Sequence, residues 1–289
     1  MQNAVLFVNI RKENADHVSK EICAELEKRG SNVTALSVDG VPGALPQKKF
    51  DIAFSLGGDG TVLCAARTLA SCGVPILPVH LGSLGFLAGV EKNQWLSVYE
   101  QWLDGAARIS VRCMLECSVE RDGRNVYRNI CLNDTVISSL GKAKLISLRL
   151  QTEAAQGQFA DLGSYRSDGV IIATPTGSTA YSMAAGGPII DPEMEAQIVS
   201  PICSFALSNR PIVLPSRQNL YVSVEKNQRS GVLLTVDGQD TFELKAEDTI
   251  VIRHSPHYTR LISSDRSAYY CALQKKLGWG HGGAGGPHA

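Results

Sequence analysis

Apolar positions in the first eighty residues come in short runs, each followed by a stretch with helical spacing. Val5 to Ile10 is the first run and reads as a strand. Ala15, Val18, Ile22 and Leu26 then fall on one face of a helix. Asn14 is placed to cap its start and Asp16 lies in its first turn, while Lys28, Arg29 and Gly30 suit its C-terminal end. Val33 to Val38 is a second strand, and residues 39–49, with two Pro and two Gly, read as a loop. A strand at 51–56, a helix at 61–71 and a strand at 74–79 follow. This alternation of β and α predicts a mostly parallel sheet with right-handed crossovers. Ligands of such sheets bind at the carboxyl ends of the strands, where the two glycine-bearing turns 57–61 and 81–87 fall.

The pattern changes after a polar helix near 92–104. Short apolar runs then recur about every ten residues, as in an antiparallel β domain: 109–120, 125–132, 144–151, 169–174, 202–207, 219–225, 231–236, 248–253 and 258–263. Asp122-Gly123 predicts a hairpin between the first two, and Val236-Asp237-Gly238-Gln239 another turn. One helical insertion is expected, at 178–198. The predicted fold class is an α/β N-terminal domain with a mostly parallel, Rossmann-like sheet, plus a C-terminal all-β, sandwich-like domain. The expected boundaries are 1–105 for the first domain and 106–265 for the second. A segment 266–280 returns to the first domain, and a Gly-rich tail, 281–289, is expected to be disordered.

Composition narrows the function. The 289 residues are 44% apolar, enough for a substantial core, and 28 basic residues balance 28 acidic ones. Zero net charge with no Lys/Arg block argues against nucleic acid or an anionic membrane as partner. No apolar run is long enough to span a bilayer. Val5-Leu6-Phe7-Val8, followed by Arg11-Lys12, does not read as a signal peptide. The eight cysteines stand singly with no Cys-x-x-Cys pair, which argues against a disulfide framework or zinc site and for a reducing, cytoplasmic setting. His254-x-x-His257 lacks a third ligand, so no metal site is expected. The absence of a Gly-x-Ser-x-Gly elbow excludes the usual serine hydrolase.

Three segments carry candidate chemistry. Gly57-Gly58-Asp59-Gly60-Thr61 joins a buried strand to a helix. Its glycines admit a large anion close to the backbone, and the helix start offers unpaired N–H groups. A carboxylate amid phosphates is unfavourable unless it serves a purpose, such as accepting the proton of an attacking hydroxyl. The loop lacks the Gly-Lys-Ser/Thr of a Walker sequence and the Gly-x-Gly-x-x-Gly dinucleotide fingerprint. Asn133-Asp134-Thr135 sets an amide beside a carboxylate, suited to a sugar diol or base edge, although the same residues also make ordinary Asx turns. In Arg166 to Ala184, a buried strand enters a turn with four hydroxyl residues, Thr174, Thr176, Ser178 and Thr179. Tyr181 then offers a flat face for a base or nicotinamide ring.

In order and spacing these segments resemble the NAD kinases, which carry a Gly-Gly-Asp-Gly-Thr loop, an Asn-Glu or Asn-Asp pair and a Thr-Pro-Thr-Gly-Ser-Thr-Ala-Tyr segment. Leu81 to Leu87, Asn209 to Pro215 and Lys275 to Gly280 are also similar to that family. The glycine loop alone is shared with diacylglycerol and sphingosine kinases; the combination is specific. The resemblance implies a dinucleotide bound between the domains and transfer of the ATP γ-phosphoryl group to the 2′-hydroxyl of NAD's adenosine ribose. By position, Asp59 would accept the proton, and Gly57, Gly58, Gly60 and Thr61 would form the phosphate loop. Asp59, Gly60, Asn133, Asp134, Lys144, Arg166, Asp168, Thr179, Ala180, Tyr181, Ser182, Met183, Ala184 and Gln239 would line the NAD site. Mg²⁺ or another divalent cation would come with ATP, and the family implies a homodimer or homotetramer. Three residues depart from the family pattern: Asp134 for Glu, His80 for Asn, and Lys144 for Arg. Two alternative functions stand beside this one, a lipid kinase sharing the glycine loop and a non-catalytic NAD(P)-sensing module.

Overall fold

The computed structural model describes residues 2–39, 45–141, 145–153, 158–206, 208–263 and 267–278. It divides into two compact units. One comprises Met1–Ser110 and the chain from Arg260 onward; the other is Val111–Thr259. The expectation for the tail 281–289, like that for Lys144, lies outside the described residues.

The first unit begins with β1 (Asn3–Asn9), α1 (Ala15–Lys28), β2 (Asn32–Val38), β3 (Ile52–Gly57), α2 (Asp59–Leu69), β4 (Ile76–His80), β5 (Val90–Glu91) and α3 (Trp95–Leu103). The sheet runs in the order β2, β1, β3, β4, all parallel, with β5 parallel to β4. The face of α1 is the predicted one: Ala15, Val18, Ile22 and Leu26 are buried against Leu6, Val8 and Phe54 of the same core. Asn14 stands at the N-cap, but in the left-handed region (φ 64°) and without a side-chain cap bond. Asn tolerates that conformation better than most residues. At the other end Gly30 (φ 80°) donates to the Glu27 carbonyl and Ser31 to the Leu26 carbonyl, the pairing of a Schellman stop. α3 corrects the expectation of a polar helix near 92–104. Trp95, Val98 and Tyr99 are buried, and Trp95 and Tyr99 pack on Phe54; the polar residues merely occupy its outer face.

β6 (Arg108–Arg121) starts in the first unit and runs into the second, whose strands are β7 (Arg124–Cys131), β8 (Asp134–Ser139), β9 (Ile146–Glu153), β10 (Phe159–Ser167), β11 (Gly169–Ala173), β12 (Ala196–Ile202), β13 (Ile212–Pro215), β14 (Leu220–Val224), β15 (Val232–Val236), β16 (Asp240–Leu244) and β17 (Thr249–Ser263). β17 leads back to the first unit and to α5 (Ser267–Leu277). The Asp122-Gly123 hairpin is present, with φ 51° and 72°, the positive pair a type I′ turn requires. Six antiparallel strands are ordered β13, β12, β11, β8, β15, β16, and a second antiparallel set is ordered β10, β9, β14, β17. Ile137, Val170, Ile172 and Leu234 from the first set share one core with Leu148, Leu150, Leu220 and Ile250 from the second. That alternation makes the unit a sandwich. β11 is buried on both faces, because Ile171 and Ala173 pack with Val136, Ile190 and Ile198 on the other side, so its sequence is a continuous apolar run.

Several elements differ from expectation. The helix expected at 178–198 is a 3₁₀ turn (Thr176–Thr179) and one helical turn, α4 (Tyr181–Ala184). Gly186 sits at φ 83°, and a Cβ on Gly187 would lie 2.3 Å from the Ser182 hydroxyl and 2.7 Å from that of Ser200, so the backbone leaves the helix here. The strand expected at 202–207 is β12, which starts six residues earlier in the chain. Polar side chains hid it: Gln197 is fully buried, its amide donating to the carbonyls of Pro215 and Gln218. β8, β10, β13 and β16 had no matching apolar run, and the two strands expected at 248–253 and 258–263 are one, β17, continuing through the exposed Pro256.

Candidate functional site

In the first unit, β3 ends at Gly57 and α2 starts at Asp59. A Cβ on Gly57 would fall 2.2 Å from the Thr61 hydroxyl, so the turn closes only on glycine, whereas Gly58 is extended and has nothing within 4 Å of its Cβ position. The Thr61 hydroxyl is buried and has no hydrogen-bond partner among the described residues. Asp59 is the first helical residue, at the positive end of the helix. Its carboxylate is held from a distant segment: Oδ2 accepts from the Phe86 N–H at 2.9 Å, and Oδ1 from Leu87 at 3.0 Å and Ala88 at 2.9 Å. Gly85 makes room for it, since a Cβ there would stand 1.9 Å from Oδ1. His80 is opposite Gly57 in the β3–β4 register. Its Nδ1 lies 2.9 Å from the Gly82 carbonyl and its Nε2 is buried without a partner among the described residues.

In the second unit the site is built around Leu132–Asp134. Asp237, from the turn after β15, accepts three backbone N–H bonds there: from Leu132 at 3.0 Å, Asn133 at 2.8 Å and Asp134 at 3.1 Å. From the other side Thr174 donates its N–H to the Asn133 carbonyl and its hydroxyl to that of Leu132. A Cβ on Gly177 would lie 2.1 Å from the Asn133 oxygen, so Gly177 serves this close approach. The Asn-Asp pair is thus clamped rather than free to form a mobile Asx turn. It borders a cavity of about 360 Å³ lined by Asn133, Asp134, Val136, Ser138, Ala180, Tyr181, Thr235, Asp237 and Gly238. Tyr181 is half exposed there. Asp134 is buried and its carboxyl has no hydrogen-bond partner among the described residues. Desolvation, and then the neighbouring Asp237 charge, push its pKa up to about 7.

Other candidates stand elsewhere. Thr179 and Ser182 are buried and bonded internally, to the Thr176 carbonyl and the Ser200 hydroxyl. Thr174 and Ser178 are likewise bonded within the fold. These four hydroxyls help hold the loop in shape, while that of Thr176 is buried without a partner among the described residues. Met183, Ala184 and Gln239 flank the cavity lining without belonging to it. Arg166 is exposed on β10 with its guanidinium 5.7 Å from the Phe205 ring centroid. Asp168 precedes β11 at the end of the strand away from Asp134. The sequence reading missed the Phe86–Ala88 amides and the anchoring role of Asp237. The only signals were Gly85 and the Asp237-Gly238 turn dipeptide.

A glycine turn opening a helix, an acid suited to a hydroxyl proton and, in the second unit, an acidic cavity with an aromatic wall are the equipment of a small-molecule kinase. Residues 43–107 match the ATP-NAD kinase N-terminal domain and residues 132–264 the ATP-NAD kinase C-terminal domain. NAD kinase of Treponema denticola is 37% identical over 281 residues, 96% of this chain and 97% of that protein. NAD kinase of Geobacter sulfurreducens is 38% identical over 288 residues, 97% and 99% of the two chains. The fold superimposes on yeast NADH kinase complexed with NADH (TM-score 0.87, 24% identity, 98% of this chain and 89% of that one). It also superimposes on an NAD kinase from Archaeoglobus fulgidus in complex with ATP (TM-score 0.75, 24% identity, 97% and 100%). The chain belongs to the NAD kinase family, and phosphoryl transfer from ATP to NAD is its reaction.

Proposed function

We propose that Asp59 receives the proton of the 2′-hydroxyl on the adenosine ribose of NAD as that oxygen attacks the γ-phosphorus of ATP. The new bond joins the 2′-oxygen to phosphorus. The bond from γ-phosphorus to the β,γ-bridging oxygen breaks, and ADP leaves with NADP as the product. The observation that carries this is the anchoring of Asp59 by the Phe86, Leu87 and Ala88 amides. They take three of the roughly four lone-pair positions of a carboxylate, leave one for a hydroxyl, and hold the group still. Phosphoryl transfer has a loose transition state that asks little of the base, and positioning is worth roughly 7–11 kcal/mol. Rigidity therefore matters more here than basicity.

The backbone of the Gly57–Thr61 turn would lie against phosphate oxygens, with the Thr61 hydroxyl, unpartnered among the described residues, a further donor. Asn133, Asp134 and Tyr181 would hold the dinucleotide, with Gly60, Ala180 and Gln239 beside it. Lys144, Arg166, Asp168, Thr179, Ser182, Met183 and Ala184 remain in the proposed site by family position. Mg²⁺ would enter on ATP as part of the substrate; among the described residues no three His, Cys, Asp or Glu side chains cluster to hold a metal. A homodimer or homotetramer belongs to the proposal, and light scattering on the purified chain tests it. All eight cysteines are free, which fits the reducing cytoplasm we assign to it. Purified protein with NAD, ATP and Mg²⁺ should yield NADP, and Asp59→Asn should lose most turnover while still binding NAD. Turnover in the variant near that of the parent would remove Asp59 from this role.

A further inference from the structure

Asp59 takes its three amides from residues 86–88, in the connection between β4 and β5. Three of the eight residues from Gly82 to Gly89 are glycine, the residue that loses most freedom when ordered. Such a segment holds a carboxylate still only if something holds the segment. Leu87 and Ala88 are fixed by burial. Phe86 is half-buried, and its ring is gripped from α5 instead. The Tyr269 ring lies 6.5 Å from it, centroid to centroid, at 54°. The Lys276 ammonium is 5.2 Å from the same centroid. Both separations fall where ring–ring and cation–ring attraction operate. Tyr269, Ala272, Leu273 and Lys276 stand at helical spacing on one face of α5, and the burial of Ala272 and Leu273 seats that face. α5 and the 82–89 connection belong to the same compact unit.

The two oxygens of the Asp59 carboxylate are not equivalent. Each has about two lone-pair positions. Oδ1 fills both, from Leu87 and Ala88, whereas Oδ2 has one bond among the described residues, from Phe86. The position left for a substrate hydroxyl is therefore on Oδ2, and its direction is set by the amide of the residue that α5 grips. We propose that α5 braces the catalytic acid: Tyr269 and Lys276 are positioning residues that aim Oδ2 of Asp59 through Phe86. The inference rests on the reading of Asp59 as proton acceptor and adds the means by which that acid is aimed. The 2′-oxygen bonds to phosphorus as its proton passes to Oδ2, and Tyr269 and Lys276 act only through the ring between them.

The test is a double-mutant cycle on the full chain, read as kcat and KM for NADP formation from NAD and Mg²⁺-ATP, beside a thermal melt. Tyr269→Leu with Lys276→Met keeps apolar bulk and removes the ring and the charge. The strengths of the two contacts set a fall in kcat of about tenfold, with both KM values within about twofold of the parent. In a Phe86→Ala background the same two substitutions should leave kcat unchanged, because the link to Asp59 is already cut. Tyr269→Phe with Lys276→Arg keeps both contacts and should keep parental kcat. Lys275→Met, exposed in the same last turn, should keep it as well. A helix that only stabilises the fold would move the melt and not kcat. A fall of less than about threefold in the combined variant, or an equal fall with and without the Phe86 ring, overturns the brace while NADP formation, and with it the kinase reading, stands. Lys276 is exposed, so Lys276→Met alone keeps the fold and should lower kcat about twofold or more. If the combined variant does not fold, that single substitution decides, and parental kcat there overturns the proposal. No NADP from the parent protein would sink both readings.

Discussion

Replacing Gly85 with alanine moves the acid of the glycine loop without removing it. The added Cβ would stand 1.9 Å from Oδ1 of Asp59, 2.7 Å from its Cγ and 3.0 Å from Oδ2, where ordinary contact begins near 3.4 Å. Either the carboxylate or the 85–88 segment must shift by about 1.5 Å, the gap between those two distances. The three N–H bonds to Asp59, all 2.9–3.0 Å, do not survive such a shift. A misplacement of about 1 Å in a catalytic group costs on the order of a hundredfold in rate, and overpacking costs about 1–3 kcal/mol of stability. Gly85→Ala should therefore lower kcat by about a hundredfold or more, with a modest loss in melting temperature and little change in the KM for NAD. Gly82→Ala, in the same segment, is the control: nothing lies within 4 Å of its Cβ position, so it should keep parental kcat. NADP formation coupled to an NADP-specific dehydrogenase, beside a thermal melt, reads both. A kcat for Gly85→Ala within twofold of the parent would show that the anchoring of Asp59 does not govern catalysis.

Further outcomes follow from the same geometry. Asp59→Asn keeps the shape but sets an NH₂ group against one of three donor amides, so it should lose about 1–3 kcal/mol of stability as well as turnover; an unchanged denaturant midpoint would contradict the bonds described. Tyr181→Ala should raise the KM for NAD well above any effect on ATP, and equal rises for both substrates would remove the ring from the NAD site. Asp134 has a folded-state pKa raised from 3.8 to about 7, so between those values the folded state holds a proton the unfolded state releases. Stability from this group therefore falls as pH rises from about 4 to 7, by up to about 4 kcal/mol, and levels off above. Asp134→Asn should flatten that slope in urea midpoints taken across the window, and an identical slope would refute the burial argument. Leu26→Ala, on the buried face of α1, should cost about 2–5 kcal/mol without changing the KM for either substrate of the surviving folded protein.

Much of this protein was legible in the residues alone. The βαβ start, the buried face of α1, its Gly30 stop, the Asp122-Gly123 hairpin and the glycine turn all depend on neighbours within a few positions, and period, turn chemistry and spacing report such neighbours. The long insertion helix, β12 and the edge strands were not legible. The helix ends where Gly187 must lie against Ser182 and Ser200, and β12 buries polar side chains whose partners come from other strands. The hydroxyls of Thr174, Ser178, Thr179 and Ser182 each make a bond within the fold that the sequence does not reveal. What only the tertiary structure decided is how Asp59 in the first unit and Asp237 in the second are held. Asp59 takes its amides from 27 to 29 residues away, and Asp237 takes its own from 103 to 105 residues away. Backbone N–H groups belong to every residue but proline, so no side-chain pattern marks which of them will solvate a distant carboxylate.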